Sequence, residues 1–285
     1  MRLLVAESSP PEARDKRRES VGMSSGETYL ETLKRLAPQA ECHQVKPADR
    51  GSELPNGTEL QAYDAVFLTG SPLHLWQDTE EVTREIAFMR AVFASNTPSF
   101  GSCAGLQLAA IAAGGTVRPI GERREAGFAR RITRTQAGRE HPLLQRRPAA
   151  WDAPAFHTDE VETLPADSTL LASNEATHVQ AAEIRHDGGV FWGVQYHPEI
   201  SLSEVAGALR RQSSDLIEKQ LARSEADVES FAALVDELGA APHRRDLQWR
   251  LGLSEDVTDV QKRTLEMSNF IEHLVKPAMS RRQRG

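Results

Sequence analysis

The sequence is poor in cysteine. Only Cys42 and Cys103 occur in 285 residues, too few for a disulfide framework or for a structural zinc site built on thiolates. Long apolar runs are also missing. No window approaches the roughly 18 consecutive apolar residues of a membrane-spanning helix, and the weakly polar stretch 104–115 reads as a buried helix. Charge interrupts the opening Met1-Arg-Leu-Leu-Val-Ala-Glu too early for a signal peptide. The expectation is therefore a cytoplasmic protein with both thiols free and no membrane partner. Positive charge is not in surplus: 34 Lys and Arg stand against 41 Asp and Glu, a formal net charge of −7. That balance argues against nucleic acid as a general partner. Neither H-E-x-x-H nor a Cys/His cluster is present, so no metal is expected.

What is present suits a globular chain, 39% hydrophobic and 26% charged. Short β-like runs at Leu3–Ala6, Glu41–Val45, Ala65–Thr69 and Pro98–Ser102 alternate with helix-like segments at Glu27–Leu36 and Glu80–Ala94. This is the pattern of an α/β fold, a mostly parallel sheet flanked by helices. Residues 8–26 read as a polar loop. From Gly115 to Pro154 the pattern loosens through a charged segment at 121–125 and a polar loop at 135–148. Strands return at Ala155–His157, Thr169–Ala172, Val179–Ile184 and Val190–Val194, the last two joined by a tight turn at Asp187-Gly188-Gly189. Cys42, on an expected strand, reads as core. Beyond Ser201 the β signal fades. Phe231, Leu234, Val235 and Leu238 share one helical face, as do Met267, Phe270, Ile271 and Leu274. The expected division is a main domain at 1–202 and a helical extension at 203–285 that docks on the core or on a partner.

Chemistry concentrates at two places. Gly101-Ser-Cys103-Ala-Gly-Leu-Gln107 lies where an apolar strand meets a helix. A nucleophile at such an elbow stands at the carboxyl edge of the sheet, and a helix N-terminus favours the reactive thiolate. The amide of Ala104 would face the oxygen of an attacked carbonyl as half an oxyanion hole. The heptapeptide alone fits a buried small hydrophobe about as well. The second place shifts the balance. Val190-Phe-Trp-Gly-Val-Gln-Tyr-His197-Pro-Glu199 delivers a His and a Glu two residues apart at the end of a strand, pointing both to one side. The His can carry the thiol proton to a leaving amine, and the Glu can fix the ring.

These motifs resemble the class I glutamine amidotransferase family, in particular the glutaminase domain of GMP synthase and its stand-alone relatives, over about residues 1–200. The family patterns G-x-C-x-G-x-Q and H-P-E match Gly101–Gln107 and His197–Glu199. The resemblance implies a flavodoxin-like fold and a Cys103, His197, Glu199 triad that hydrolyses the side-chain amide of L-glutamine through a thioester, with no cofactor. It places the backbone N–H of Ser71, within Leu68-Thr-Gly70-Ser71-Pro72, beside that of Ala104 as the second oxyanion donor. It also implies substrate contacts from Gly70, Gln107, His157 and Asp159, and makes Thr177–Ala181 a strand. No G-x-x-x-x-G-K loop and no S-G-G-x-D-S segment, such as the ATP pyrophosphatase of GMP synthase carries, is present. The acceptor of the ammonia is then expected on a separate ATP-dependent synthetase, and a homo-oligomer stays open. Two other readings stand beside it: a γ-glutamyl hydrolase acting on larger γ-glutamyl amides, and an idle binding or regulatory module.

Overall fold

Leu3, Leu4, Val5 and Ala6 are all fully buried, as a strand must be when both faces of a parallel sheet are covered. They form β1 (Arg2–Ala6), and the computed structural model describes residues 1–121 and 124–282 of the chain. Residues 122 and 123 of the charged segment at 121–125 lie outside the described residues. After β1 come α1 (Pro11–Val21), α2 (Ser25–Leu36), β2 (Glu41–Val45) and α3 (Gly57–Leu60). The series continues with β3 (Ala65–Leu68), α4 (Glu80–Ala94), β4 (Ser99–Ser102) and α5 (Ala104–Ala112). The middle of the chain is β5 (Thr116–Pro119), β6 (Glu125–Arg134), α6 (Gln136–Glu140), β7 (Ala150–His157) and β8 (Asp159–Thr163). β9 (Ser168–Ser173), β10 (Ala181–His186) and β11 (Gly189–Val194) complete the strands.

The main sheet runs β2-β1-β3-β4-β11-β10-β9-β6-β7. Its first five strands are parallel, in the flavodoxin-like order with β11 as the fifth strand. The rest pair antiparallel. Alternation along the strands feeds two cores. Leu3, Val5, Phe67 and Phe100 face one layer, while Leu4, Ala6, Val66 and Leu68 face the other. The β10–β11 turn is tight as expected, with Asp187 at φ 46° and Gly188 at φ 83°.

Several expectations fail for local reasons. Residues 8–26 are not a loop throughout, because α1 occupies Pro11–Val21. Pro11 opens it and Gly22, at φ 84°, closes it. It has no apolar stripe, and Arg14 anchors it through a two-pronged bond to Asp49. The loosened region contains the ten-residue β6, whose alternation is broken by a bulge between Ala129 and Ile132 with Arg131 at φ 49°. Thr177–Gln180 is the approach to β10 rather than part of it. Cys42 is half-buried on the edge strand β2. His197 and Glu199 lie beyond the end of β11, so strand periodicity is not what aligns them.

The tail is helical: α7 (Leu202–Arg211), α8 (Ser213–Glu218), α9 (Glu225–Ala240), α10 (Arg245–Leu251), α11 (Glu255–Thr258), α12 (Val260–Arg263), α13 (Leu265–Phe270) and, after one wide turn, α14 (Lys276–Arg282). α9 turns Val228, Ala232, Val235 and Leu238 inward and leaves Phe231 exposed, a face rotated from the one expected. α13 and the turn after it bury Met267, Phe270, Ile271 and Val275 in the same core as Phe67 and Phe100. Phe270 meets Phe67, Phe100 and Trp192 edge-on or tilted at 5.3–6.1 Å between ring centres. Among the described residues no helix is long and apolar enough to cross a membrane.

Candidate active site

The parallel half of the sheet brings the carboxyl ends of β1, β3, β4 and β11 to one edge, where ligands bind in such folds. Cys103 sits there between β4 and α5 at φ 54°, ψ −112°, a conformation a non-glycine residue holds only under constraint. Its N–H donates to Val194 O at 2.8 Å, tying the elbow to the end of β11. Ala104 is the first residue of α5, so its N–H has no partner within the helix.

His197 is fixed from behind by its N–H, which donates to Pro154 O at 2.8 Å. Its Nδ1 lies 2.7 Å from Glu199 Oε1, and beside it the Cys103 Sγ donates to Phe156 O at 3.7 Å. Burial of the ring disfavours its charge, but the carboxylate of Glu199 and the sulfur of Cys103 outweigh that and push His197 up to about 10. The ring therefore keeps its second proton at neutral pH. Glu199 Oε1 also accepts from Ser102 Oγ at 3.0 Å, and the Tyr29 hydroxyl lies 2.6 Å from the same Ser102 oxygen. Burial, with Glu199 nearby, pushes Tyr29 well above the usual phenol range, so it stays a donor. Sequence reasoning missed both residues. Ser102 lies inside the motif, but Tyr29 on α2 carries no local signal.

Gly70 follows β3, and a Cβ there would stand 2.6 Å from His197 Cε1 and 3.6 Å from the Cys103 Cβ. The site closes on bare backbone at this point. Next to it the Ser71 hydroxyl donates to Ser8 O at 2.8 Å and accepts from the Leu73 N–H at 3.2 Å. Ser8 in turn donates its N–H to Thr69 Oγ1 and its hydroxyl to Glu85 on α4.

Gln107, His157 and Asp159 meet in one knot. Gln107 Nε2 donates to the Asp159 carbonyl at 2.8 Å and to Gln195 Oε1 at 3.1 Å. The two ring nitrogens of His157 face Asp159 O and Glu125 Oε2 at 3.0 and 2.8 Å. That ring is engaged inside the protein rather than turned towards the sulfur. Asp159 binds His74 Nδ1 through Oδ2 at 2.7 Å, and its buried Oδ1 has no partner among the described residues.

Two cavities share Cys103 as a border. One of about 290 Å³ contains His197, Glu199, Gly70 and residues of α1 and α7. The other, about 360 Å³, contains Gln107, Asp159, His74 and Arg124. A larger space of about 1120 Å³ between β6 and helices α7–α9 holds none of these three: Cys103, His197, Glu199.

The family described as glutamine amidotransferase class-I matches residues 24–213. This chain is a class I glutamine amidotransferase by family. One relative, the gamma-glutamyl-L-1-hydroxyisopropylamide hydrolase of a Pseudomonas species, is 34% identical over 99% of this chain and 96% of its own length. One subunit of the glutamine-hydrolysing GMP synthase of Methanocaldococcus jannaschii is 29% identical, but over 55% of this chain and 78% of its own. Among solved structures, a glutamine amidotransferase from Thermotoga maritima shares the fold with a TM-score of 0.63 at 15% identity, covering 94% of this chain and 97% of that one. The amidotransferase core thus has relatives of two kinds, and the one named a hydrolase also spans the tail.

Proposed function

We propose that this protein hydrolyses γ-glutamyl amides through a thioester on Cys103. The observation that carries the reading is the alignment of Cys103, His197 and Glu199 at one sheet edge, with the His197–Glu199 contact at 2.7 Å. The sulfur of Cys103 attacks the γ-carbonyl carbon, and the N–H groups of Ser71 and Ala104 receive the oxyanion. The C–N bond breaks as His197 gives its proton to the leaving nitrogen, which departs as an amine. A water then loses a proton to His197 and attacks the thioester, freeing glutamate and the sulfur. Glu199 holds the ring, and Tyr29 and Ser102 hold Glu199.

The same chemistry assigns the cavities. The leaving nitrogen must lie on the His197 side, so the 290 Å³ cavity takes the amine. The glutamyl part takes the 360 Å³ cavity, which Gln107, His74 and Asp159 line. Space beyond the scissile bond and the end-to-end match to a γ-glutamyl amide hydrolase favour a substrate larger than glutamine.

The partial match to one component of a GMP synthase favours a second reading, in which glutamine is the substrate and the ammonia passes to a separate ATP-dependent synthetase. Steady-state assays of glutamate release from glutamine and from γ-glutamyl ethylamide separate the two. The first reading expects a higher kcat/KM for the ethylamide. A preference for glutamine that rises when a synthetase is added would replace it with the second.

A further inference from the structure

The cavity on the leaving-group side has an unusual wall. Lys16 and Arg17 reach it from α1, and Arg211 from the last turn of α7. Among the described residues Glu199 is the one carboxylate on its lining, and that group is engaged by His197 and Ser102. Arg17 is neutralised by Glu204 at 2.8 Å. Among the described residues neither Lys16 nor Arg211 has an acidic partner, and the Arg211 guanidinium donates to the neutral Ser20 hydroxyl at 2.6 Å. The wall is held in place rather than draped there. α1 lies directly on α7, where a Cβ at Gly207 would come within 2.6 Å of Val21 Cγ1 and 3.1 Å of Ser20 O. Lys16 borders this cavity and not the glutamyl one, while Arg211 stands where the two cavities meet beside Cys103, so two uncompensated cations flank the leaving-group side of the scissile bond.

We infer that the amine released by this enzyme carries an anionic group, as in a γ-glutamyl amino acid, which Lys16 and Arg211 receive. The inference rests on the hydrolase reading and narrows its substrate class. A leaving amine bearing a carboxylate places that charge two or three bonds beyond the scissile nitrogen, on the side where the cations stand. A plain ammonia product has no group for them, and a cationic amine would be repelled.

The test compares γ-glutamylglycine with its uncharged isostere γ-glutamylglycinamide on the full chain. The expected kcat/KM ratio is about tenfold in favour of the acid at low salt, falling towards unity as salt screens the exposed cations. Lys16→Gln and Arg211→Gln each lower that ratio, and Lys16→Arg restores it. A merely structural role for these side chains would change both substrates alike and leave the salt dependence untouched. A ratio at or below unity in the unaltered protein overturns the inference while leaving the hydrolase reading intact. If neither amide is cleaved the hydrolase reading itself fails. Calorimetric titration of Cys103→Ala with the same pair then still decides the charge preference: tighter binding of the acid supports it, equal binding overturns it.

Discussion

Glu199 grips His197 with one carboxylate oxygen, and that oxygen is itself held by Ser102. Because the carboxylate helps keep His197 protonated up to about 10, the alkaline limb of kcat/KM should fall near that pH. Glu199→Gln removes the charge that raises the ring, so the limb should move to lower pH and the rate should drop. A pH profile with an unmoved limb would show that another group sets it. The stability sign follows from the same shift. A ring with its affinity for the proton raised stabilises the fold fully below its ordinary value of about 6.5, and that contribution is lost as pH rises through about 10. Gly70→Ala brings a Cβ within 2.6 Å of His197 Cε1 and should lower kcat/KM on the order of a hundredfold by displacing the ring. Unchanged kcat/KM in that variant would mean the ring is not fixed where the reaction needs it.

At the scale of elements, the segment that carries Ser71 is tied to β1 through Ser8, and Ser8 is tied to α4 through Glu85. Burial pushes Glu85 up to about 7, against the pull of its bond from Ser8. A carboxyl raised in the fold stabilises it fully below about 4.5, and the gain disappears as pH climbs through 7, a loss of up to about 3 kcal/mol. Thermal melts should therefore show Glu85→Gln more stable than the unaltered protein at pH 8 and about equal to it at pH 4. The parallel half of this architecture was legible in the sequence because Leu3–Ala6 and Ala65–Leu68 are unbroken apolar runs with glycine or proline punctuation. α1 was not, since a helix anchored by Arg14 on Asp49 shows no apolar stripe. β6 was hidden by its own bulge at Arg131. Of the candidate site, the motif residues could be read from the chain. The hydrogen-bonded chain through Tyr29 could not, because α2 reaches Ser102 only through the tertiary fold.

Over the whole molecule, the tail does more than follow the core. Glu266 of α13 is fully buried between Arg147 and the Tyr196 hydroxyl, each at 2.6 Å, and Tyr196 precedes His197. Phe270 fills the sheet face against Phe67 and Phe100. Phe270→Ala should cost about 3–5 kcal/mol by chemical denaturation, and a chain ended at Ser201 should aggregate. A soluble, cooperatively folding truncation would show that residues 203–285 form a separable unit. The family match itself runs to residue 213, past the expected division at 202. The central claim, however, concerns one sulfur. Mass spectrometry of protein quenched in acid during turnover of a γ-glutamyl amide tests it most directly. Burial pushes the Cys42 thiol up, so it should stay unmodified, and one γ-glutamyl group should appear on the peptide containing Cys103 and vanish in Cys103→Ala along with turnover. Turnover that persists in Cys103→Ala, or an adduct found on Cys42 instead, would contradict the account.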